Sequence, residues 1–244
     1  MEAFILAAGL GTRLRPLTDT KPKALVEIKG VPLLDIVIRK LINAGFTRIV
    51  INVHHFAGQI ISFLNSRKNY GVDIIISDES DKLLDTGGGL KKAAIYFTGK
   101  NPVLVHNVDI LSGVDLKEFY RLHIEENNLI TLAVQKRKSS RYFLFDEEKN
   151  LYGWMNEKTG EKKIVREPEG KTERLAFNGI HVVHPEVFNY FPEREIFSLV
   201  EFYLELASQK NLPERNKISY IEHTDSLFMD LGRIENLKKA ERYL

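Results

Sequence analysis

The sequence predicts an α/β fold, with a doubly wound, mixed and mainly parallel sheet that carries a small antiparallel lid. Three observations predict it. Apolar runs without alternation (Phe4 to Ala8, Arg48 to Val53, Val72 to Ile76 and Pro102 to Ile110) fit strands buried on both faces, as in parallel sheets. They alternate with helical patterns in units of about 25 residues, a rhythm of strand-helix repeats that puts ligands at the carboxyl ends of the strands. From Lys136 the texture changes to short strand-like pieces between polar turns, which reads as an antiparallel excursion.

Taken in order, the first strand ends in small residues and breaks into Gly9-Leu10-Gly11-Thr12-Arg13-Leu14. Backbone N–H groups there meet an anion without an intervening Cβ, which makes a phosphate cradle. Arg13 follows the second glycine by two residues, Lys23 comes ten further on, and Pro16 and Pro22 stiffen the loop between them. Leu14 stands where a dinucleotide fingerprint needs its third glycine, and no Gly-Lys-Ser/Thr follows as a Walker loop requires. A plain glycine turn from strand to helix leaves both cations unexplained.

A helix is predicted over Asp35 to Gly45, with Leu34, Val37, Ile38 and Leu41 at helical spacing, and another over Gly58 to Arg67. Leu83-Leu84-Asp85-Thr86-Gly87-Gly88-Gly89-Leu90 opens a further helix whose bare N-terminus suits a phosphate or a flat base; the plainer reading is a flexible glycine loop. Asp109 ends the strand from Pro102, where a carboxylate is a hard ligand for Mg²⁺ or simply a turn residue. A helix over Asp115 to Asn127 and a strand over Leu129 to Val134 follow. The lid pieces are Tyr142 to Phe145, Leu151 to Met155 and Lys163 to Val165. The chain closes with a strand at Ala176 to Val183, a helix at Ile196 to Ser208, a strand at Lys217 to Glu222 and a helix at Ile234 to Tyr243. The seven histidines show no metal-binding spacing, and His54, His55 and His106 read as satisfied polar residues at strand ends.

Composition narrows the function classes. The net charge of +2, from 35 basic against 33 acidic residues, gives no global field for nucleic acid or an anionic membrane, so any anion site is local. With no cysteine there is no disulfide, thiolate metal site or Cys nucleophile. No basic segment precedes Phe4, and no apolar run reaches the roughly 18 residues of a membrane helix, so a cytoplasmic protein is expected.

Residues Leu6 to Leu25 match the pattern L-A-A-G-x-G-T-R-L-x-P-L-T-x-x-x-P-K-x-L and so resemble the signature of the sugar-1-phosphate nucleotidylyltransferases. The resemblance implies a Rossmann-like nucleotide-diphospho-sugar transferase fold in one domain, residues 1–244, with a nucleotide half (1–135) and a sugar half with the lid (136–244). It implies transfer of a nucleotidyl group from an NTP to a sugar 1-phosphate. Lys23 would stabilise the α-phosphoryl charge, Arg13 with Gly11 and Thr12 the leaving pyrophosphate, and Ala8 with Gly9 would floor the nucleotide. Thr86, Gly87 and Gly88 would lie against the base, and Asn178 and Gly179 would meet the sugar, although Asn-Gly also serves a tight turn. Asp109 and the aspartate of Asp230-Leu231-Gly232 would hold Mg²⁺.

The match has one departure: Arg166-Glu167-Pro168 stands where the family often carries Glu-Lys-Pro, so no sugar contact passes to Glu167. Among the family's branches, the short chain without an expected appended domain and the run Leu83-Leu84-Asp85-Thr86-Gly87-Gly88-Gly89 resemble those that pair UTP with N-acetylmuramate 1-phosphate, then those that pair GTP with mannose or heptose 1-phosphate. The lactyl carboxylate of the first sugar asks for a cation in the lid, with Arg166 and Arg174 in the right region. The length leaves no room for an appended left-handed β-helix, so acetyl transfer is not expected. Two other classes stay open. A glycosyltransferase predicts D-x-D, where Asn107-Val108-Asp109 offers one carboxylate, and a non-catalytic sugar-nucleotide sensor would tolerate loss of Arg13, Lys23 or either aspartate.

Overall fold

The computed structural model describes residues 1–209 and 217–243. Its elements begin with β1 (Glu2–Leu6), the small hairpin β2 (Glu27–Ile28) and β3 (Val31–Pro32), α1 (Leu33–Asn43), β4 (Arg48–Val53), α2 (Ala57–Ser66) and β5 (Asp73–Asp78). They continue with α3 (Asp85–Ala93), β6 (Val103–Asn107), β7 (Ile110–Ser112), α4 (Leu116–Glu126), β8 (Ile130–Gln135), β9 (Arg141–Phe145), β10 (Leu151–Asn156) and β11 (Lys162–Ile164). The last are β12 (Glu173–Val183), α5 (Leu199–Ala207), β13 (Ile218–Glu222), β14 (Phe228–Asp230) and α6 (Ile234–Ala240).

The sheet is mixed. β6, β1, β4 and β5 are parallel neighbours, so the loops after them share one edge. The 11-residue β12 runs antiparallel to β6 and is long enough to pair with β9 at its start and β8 at its end; β13 adds to β8 in parallel. The predicted antiparallel pieces β9, β10 and β11 therefore extend the main sheet through β12. Asn178-Gly179 makes no turn: Gly179 has φ +70° inside β12, where the register against β8 shifts between Phe177 and His181.

Element starts follow their caps. Asp115 accepts from the N–H groups of Lys117 and Glu118, both at 3.0 Å, and Asn127 ends α4 in the left-handed region. α5 begins at Leu199, later than the sequence suggests, because Ser198 Oγ accepts from Glu201 N at 3.1 Å. α1 begins before Asp35, which is buried and accepts from Arg39 Nε and Tyr70 Oη, each at 2.6 Å. Apolar side chains fill both sheet faces, with α1, α2 and α4 over one and α3 and α5 over the other. A third cluster, including Leu14, Ile28, Leu33, Leu111, Leu231 and Leu237, ties the opening loop to β14 and α6. Among the described residues, no helix is long and apolar enough to cross a membrane.

Candidate active site

Past the end of β1 the backbone is held by a side chain. Ala7 N and Ala8 N donate to Asn52 Oδ1 at 2.7 and 3.3 Å, and Asn52 Nδ2 donates to Glu79 Oε1 at 2.8 Å. Glu79 is fully buried, and burial raises its carboxyl above the usual range. Two of the N–H groups after the strand are thus already satisfied, and the open stretch starts at Gly9, which has nothing within 4 Å of its Cβ position. Gly11 must be glycine, because its φ is +64° and a Cβ there would lie 2.9 Å from Lys23 Cβ. Its carbonyl accepts from Leu14 N at 2.8 Å and Thr18 Oγ1 at 2.9 Å, while Leu14 is buried in the third cluster. The loop is pinned, and Arg13 projects from it.

The two cations meet the two aspartates. Lys23 Nζ pairs with Asp109 Oδ2, with side chains only 13% and 12% exposed. Arg13 Nη1 lies 3.5 Å from Asp230 Oδ2 in a more open pair. Pairing of β14 with β7 sets Asp230 opposite Ile110, and Leu231 N donates to Asp109 O at 2.8 Å. The Cβ position of Gly232 is 2.7 Å from Arg13 Nη2, 2.8 Å from Asp230 Oδ1 and 3.0 Å from Asp109 Oδ2. Residues far apart in the chain thus close on a point that any side chain at 232 would fill. Two carboxylates there suit a divalent cation that takes its other ligands from phosphates and water; among the described residues no cluster of three or more metal-binding side chains occurs.

Two cavities meet at this point. One, of about 540 Å³, is lined by Ala8, Gly9, Arg13, Lys23, Thr86 and Asp109, together with Asn52 and Asp85. The other, of about 740 Å³, is lined by Arg13, Asp109, Asp230, Asn178 and Gly179, with Arg137, Arg141, Trp154 and Phe228. Arg13 and Asp109 belong to both. Thr12 begins the short 3₁₀ turn that carries Arg13. Asn178 is 1% exposed, and neither of its amide atoms has a protein partner among the described residues.

The glycines of α3 face protein, not the open cavity that the sequence suggests. The N–H groups of Gly87 and Gly88 donate to Phe197 O at 2.9 and 3.2 Å, so the helix start is not bare. A Cβ at Gly87 would sit 2.4 Å from the Phe197 ring, and one at Gly88 2.0 Å from Glu195 O. Close packing against the 195–197 segment accounts for both, and the cavity wall is built by Asp85 and Thr86 instead. Gly88→Ala is expected to cost about 1–3 kcal/mol by overpacking, a fall in Tm of roughly 2–10 °C. A thermal melt unchanged from wild type would contradict this packing role.

The lid arginines, expected to face the sugar, are engaged elsewhere. Arg166 pairs with the buried Asp146 and Arg174 with Glu157, neither lines the larger cavity, and Glu167 is exposed. His54 Nδ1 donates to Glu79 O at 2.6 Å, whereas His106 bonds Asn107 O through Nδ1, and its Nε2 has no partner among the described residues. The sequence does not mark out Asn52, Arg137 or Trp154 as site residues, and it gives Asp85 only within the run from Leu83 to Leu90. Only Asn52 left a signal, as the one polar residue inside the run Ile49-Val50-Ile51-Asn52-Val53.

The family model for nucleotidyl transferases matches residues 2–244. An N-acetylmuramate alpha-1-phosphate uridylyltransferase of Neisseria meningitidis serogroup B is 31% identical, over 99% of this chain and 97% of that one. A D-glycero-alpha-D-manno-heptose 1-phosphate guanylyltransferase of Aneurinibacillus thermoaerophilus is 28% identical, over 100% and 98%. Among solved structures, a putative glucose-1-phosphate thymidylyltransferase from Bacillus anthracis superposes with a TM-score of 0.78 at 20% identity, covering 100% of this chain and 94% of that one, which speaks for the fold alone. With the signature loop folded into a cleft and the family model spanning the whole sheet, the chain belongs to the nucleotidyl transferase family.

Proposed function

We propose that the enzyme transfers a uridylyl group from UTP to N-acetylmuramate 1-phosphate, giving the UDP-sugar and pyrophosphate. The observation that carries the reaction class is the convergence of Lys23, Arg13, Asp109 and Asp230 where the two cavities meet. In this reading residues 1–135 hold the nucleotide in the smaller cavity, and residues 136–244 hold the sugar in the larger one. A UTP-consuming reaction fits an enzyme that works in the cytoplasm.

The chemistry needs positioning more than activation. A sugar-phosphate oxygen is ionised at pH 7, so it attacks the α-phosphorus without a Ser, Cys or His base; the new P–O bond forms as the bond to pyrophosphate breaks. Lys23, nearly buried, exchanges its bond to Asp109 for the α-phosphoryl oxygens, where a preorganised cation acts most strongly. Arg13, more exposed, grips the leaving pyrophosphate with the Gly11-Thr12 backbone. Ala8 and Gly9 form the floor under the nucleotide, with Thr86 beside the base. Asn178 spends its unpaired amide on sugar hydroxyls, with the Gly179 backbone alongside. Asp109 and Asp230 would hold Mg²⁺, which when bound neutralises phosphate charge.

Similarity to the Neisseria uridylyltransferase along nearly the full chain supports the UTP and N-acetylmuramate pair, and the heptose guanylyltransferase keeps GTP as the competing base. The test is pyrophosphate release with four NTPs against a panel of sugar 1-phosphates. The expected result is the largest kcat/KM for UTP with N-acetylmuramate 1-phosphate. A larger value for GTP with mannose or heptose 1-phosphate overturns the substrate choice, and no release with any pair overturns the reaction.

A further inference from the structure

The larger cavity carries more positive charge than its phosphate chemistry uses. Arg13, Arg137, Arg141, Lys158 and Arg233 line it, against Asp109 and Asp230. Arg13 faces Asp230, and Arg233 faces Glu235 at 3.8 Å. Arg137 is different. It is half-buried, its Nη2 donates to Phe177 O at 2.8 Å, and its guanidinium lies 3.9 Å from the centroid of the Phe228 ring. Its Nε is buried without a partner, and among the described residues no carboxylate comes within 4.0 Å of it. The carboxylate whose charge reaches it, Asp230, is already paired with Arg13. Arg141, at the start of β9, also lines the cavity without an ion-pair partner among the described residues.

A half-buried cation that shares the charge of Asp230 with Arg13 is costly unless something that enters the cavity supplies a second anion. The stacking on Phe228 and the bond to Phe177 hold the guanidinium plane in place, so a planar fork is presented before any ligand arrives. We propose that Arg137, with Arg141 at the rim, receives a carboxylate borne by the sugar, so that the enzyme selects sugar 1-phosphates with a second acidic group over their neutral counterparts. The inference rests on the sugar 1-phosphate reading above and assigns a role that Arg166 and Arg174 do not fill. The anomeric phosphate is the other anion in reach. It is common to acidic and neutral sugars, so a cation that served it would give no preference between them.

The test compares matched ligands, N-acetylmuramate 1-phosphate with N-acetylglucosamine 1-phosphate, and glucuronate 1-phosphate with glucose 1-phosphate. Dissociation constants are measured calorimetrically, with and without a non-hydrolysable UTP analogue. A charge-assisted bidentate pair predicts an acid preference of about 10- to 100-fold in at least one pair of ligands. Arg137→Met should bring that ratio close to one, and Arg137→Lys should keep part of it. Arg141→Met, at an exposed position, should lower it and carries the same test if the Arg137 variants do not fold. Absence of any acid preference in the wild type overturns the inference. So does a preference that persists in folded Arg137→Met or, where that variant does not fold, in Arg141→Met. An acid preference lost on substitution, in a protein that releases no pyrophosphate with any NTP, would remove the functional reading and leave this inference standing.

Discussion

Lys23→Ala is expected to lower kcat for pyrophosphate release by about 10²- to 10³-fold, the range for removing one preorganised electrostatic stabiliser. Two features of the fold put the effect in kcat. The side chain is only 13% exposed, so its charge acts at low dielectric, and Gly11 packs against its stem, so the ammonium has little freedom to lose on reaching the transition state. In the proposed mechanism the loop and Arg13 also hold the phosphates, so the NTP KM should move less. Steady-state kinetics on the purified variant, with its fold checked by circular dichroism, makes the test. A kcat within about threefold of wild type would remove Lys23 from the reaction.

The second large effect is on stability in mild acid. His106, His123 and His181 are buried, and burial pushes each down to about 3. In the unfolded chain they titrate near 6.5. Between those values the unfolded chain binds protons that the folded chain refuses, so stability rises with pH across the window and is lost as pH falls below about 6.5. Each group approaches a slope of about 1.4 kcal/mol per pH unit, and three together approach about 4, against a typical total of roughly 5–15 kcal/mol. The urea midpoint should therefore fall steadily from pH 7 to pH 5, with unfolding in water soon below. A midpoint that stays flat from pH 7 to pH 5 would show that these imidazoles are not held neutral.

Most of what the sequence reveals about this site is local. The opening loop is legible because its physics is written within twenty residues: glycine where φ is positive, a proline before each turn, and cations at fixed offsets. Asp109 and Asp230 are legible as strand-end carboxylates, and β7 and β14 supply the pairing that sets them side by side. What stays hidden depends on partners distant in the chain. Gly87 and Gly88 look like a ligand cradle until Phe197 and Glu195 arrive against them. Arg137 stands between Lys136 and Lys138 with nothing local to single it out, and only the fold separates it, drawn onto Phe228, from its exposed neighbours. Asn178-Gly179 suggests a tight turn because nothing local tells a turn glycine from one that bulges a long strand.

In the proposed mechanism Asp109 and Asp230, joined by Arg13 and Lys23, form one metal-assisted centre for nucleotidyl transfer. The most direct measurement is pyrophosphate release titrated with Mg²⁺ for wild type, Asp109→Asn and Asp230→Asn. Exchanging a carboxylate for an amide keeps the shape and removes the charge that holds a hard cation. The Mg²⁺ concentration at half-maximal rate should rise about tenfold or more in each variant, whatever happens to the maximal rate, whereas superimposable Mg²⁺ curves for wild type and both variants would contradict the claim.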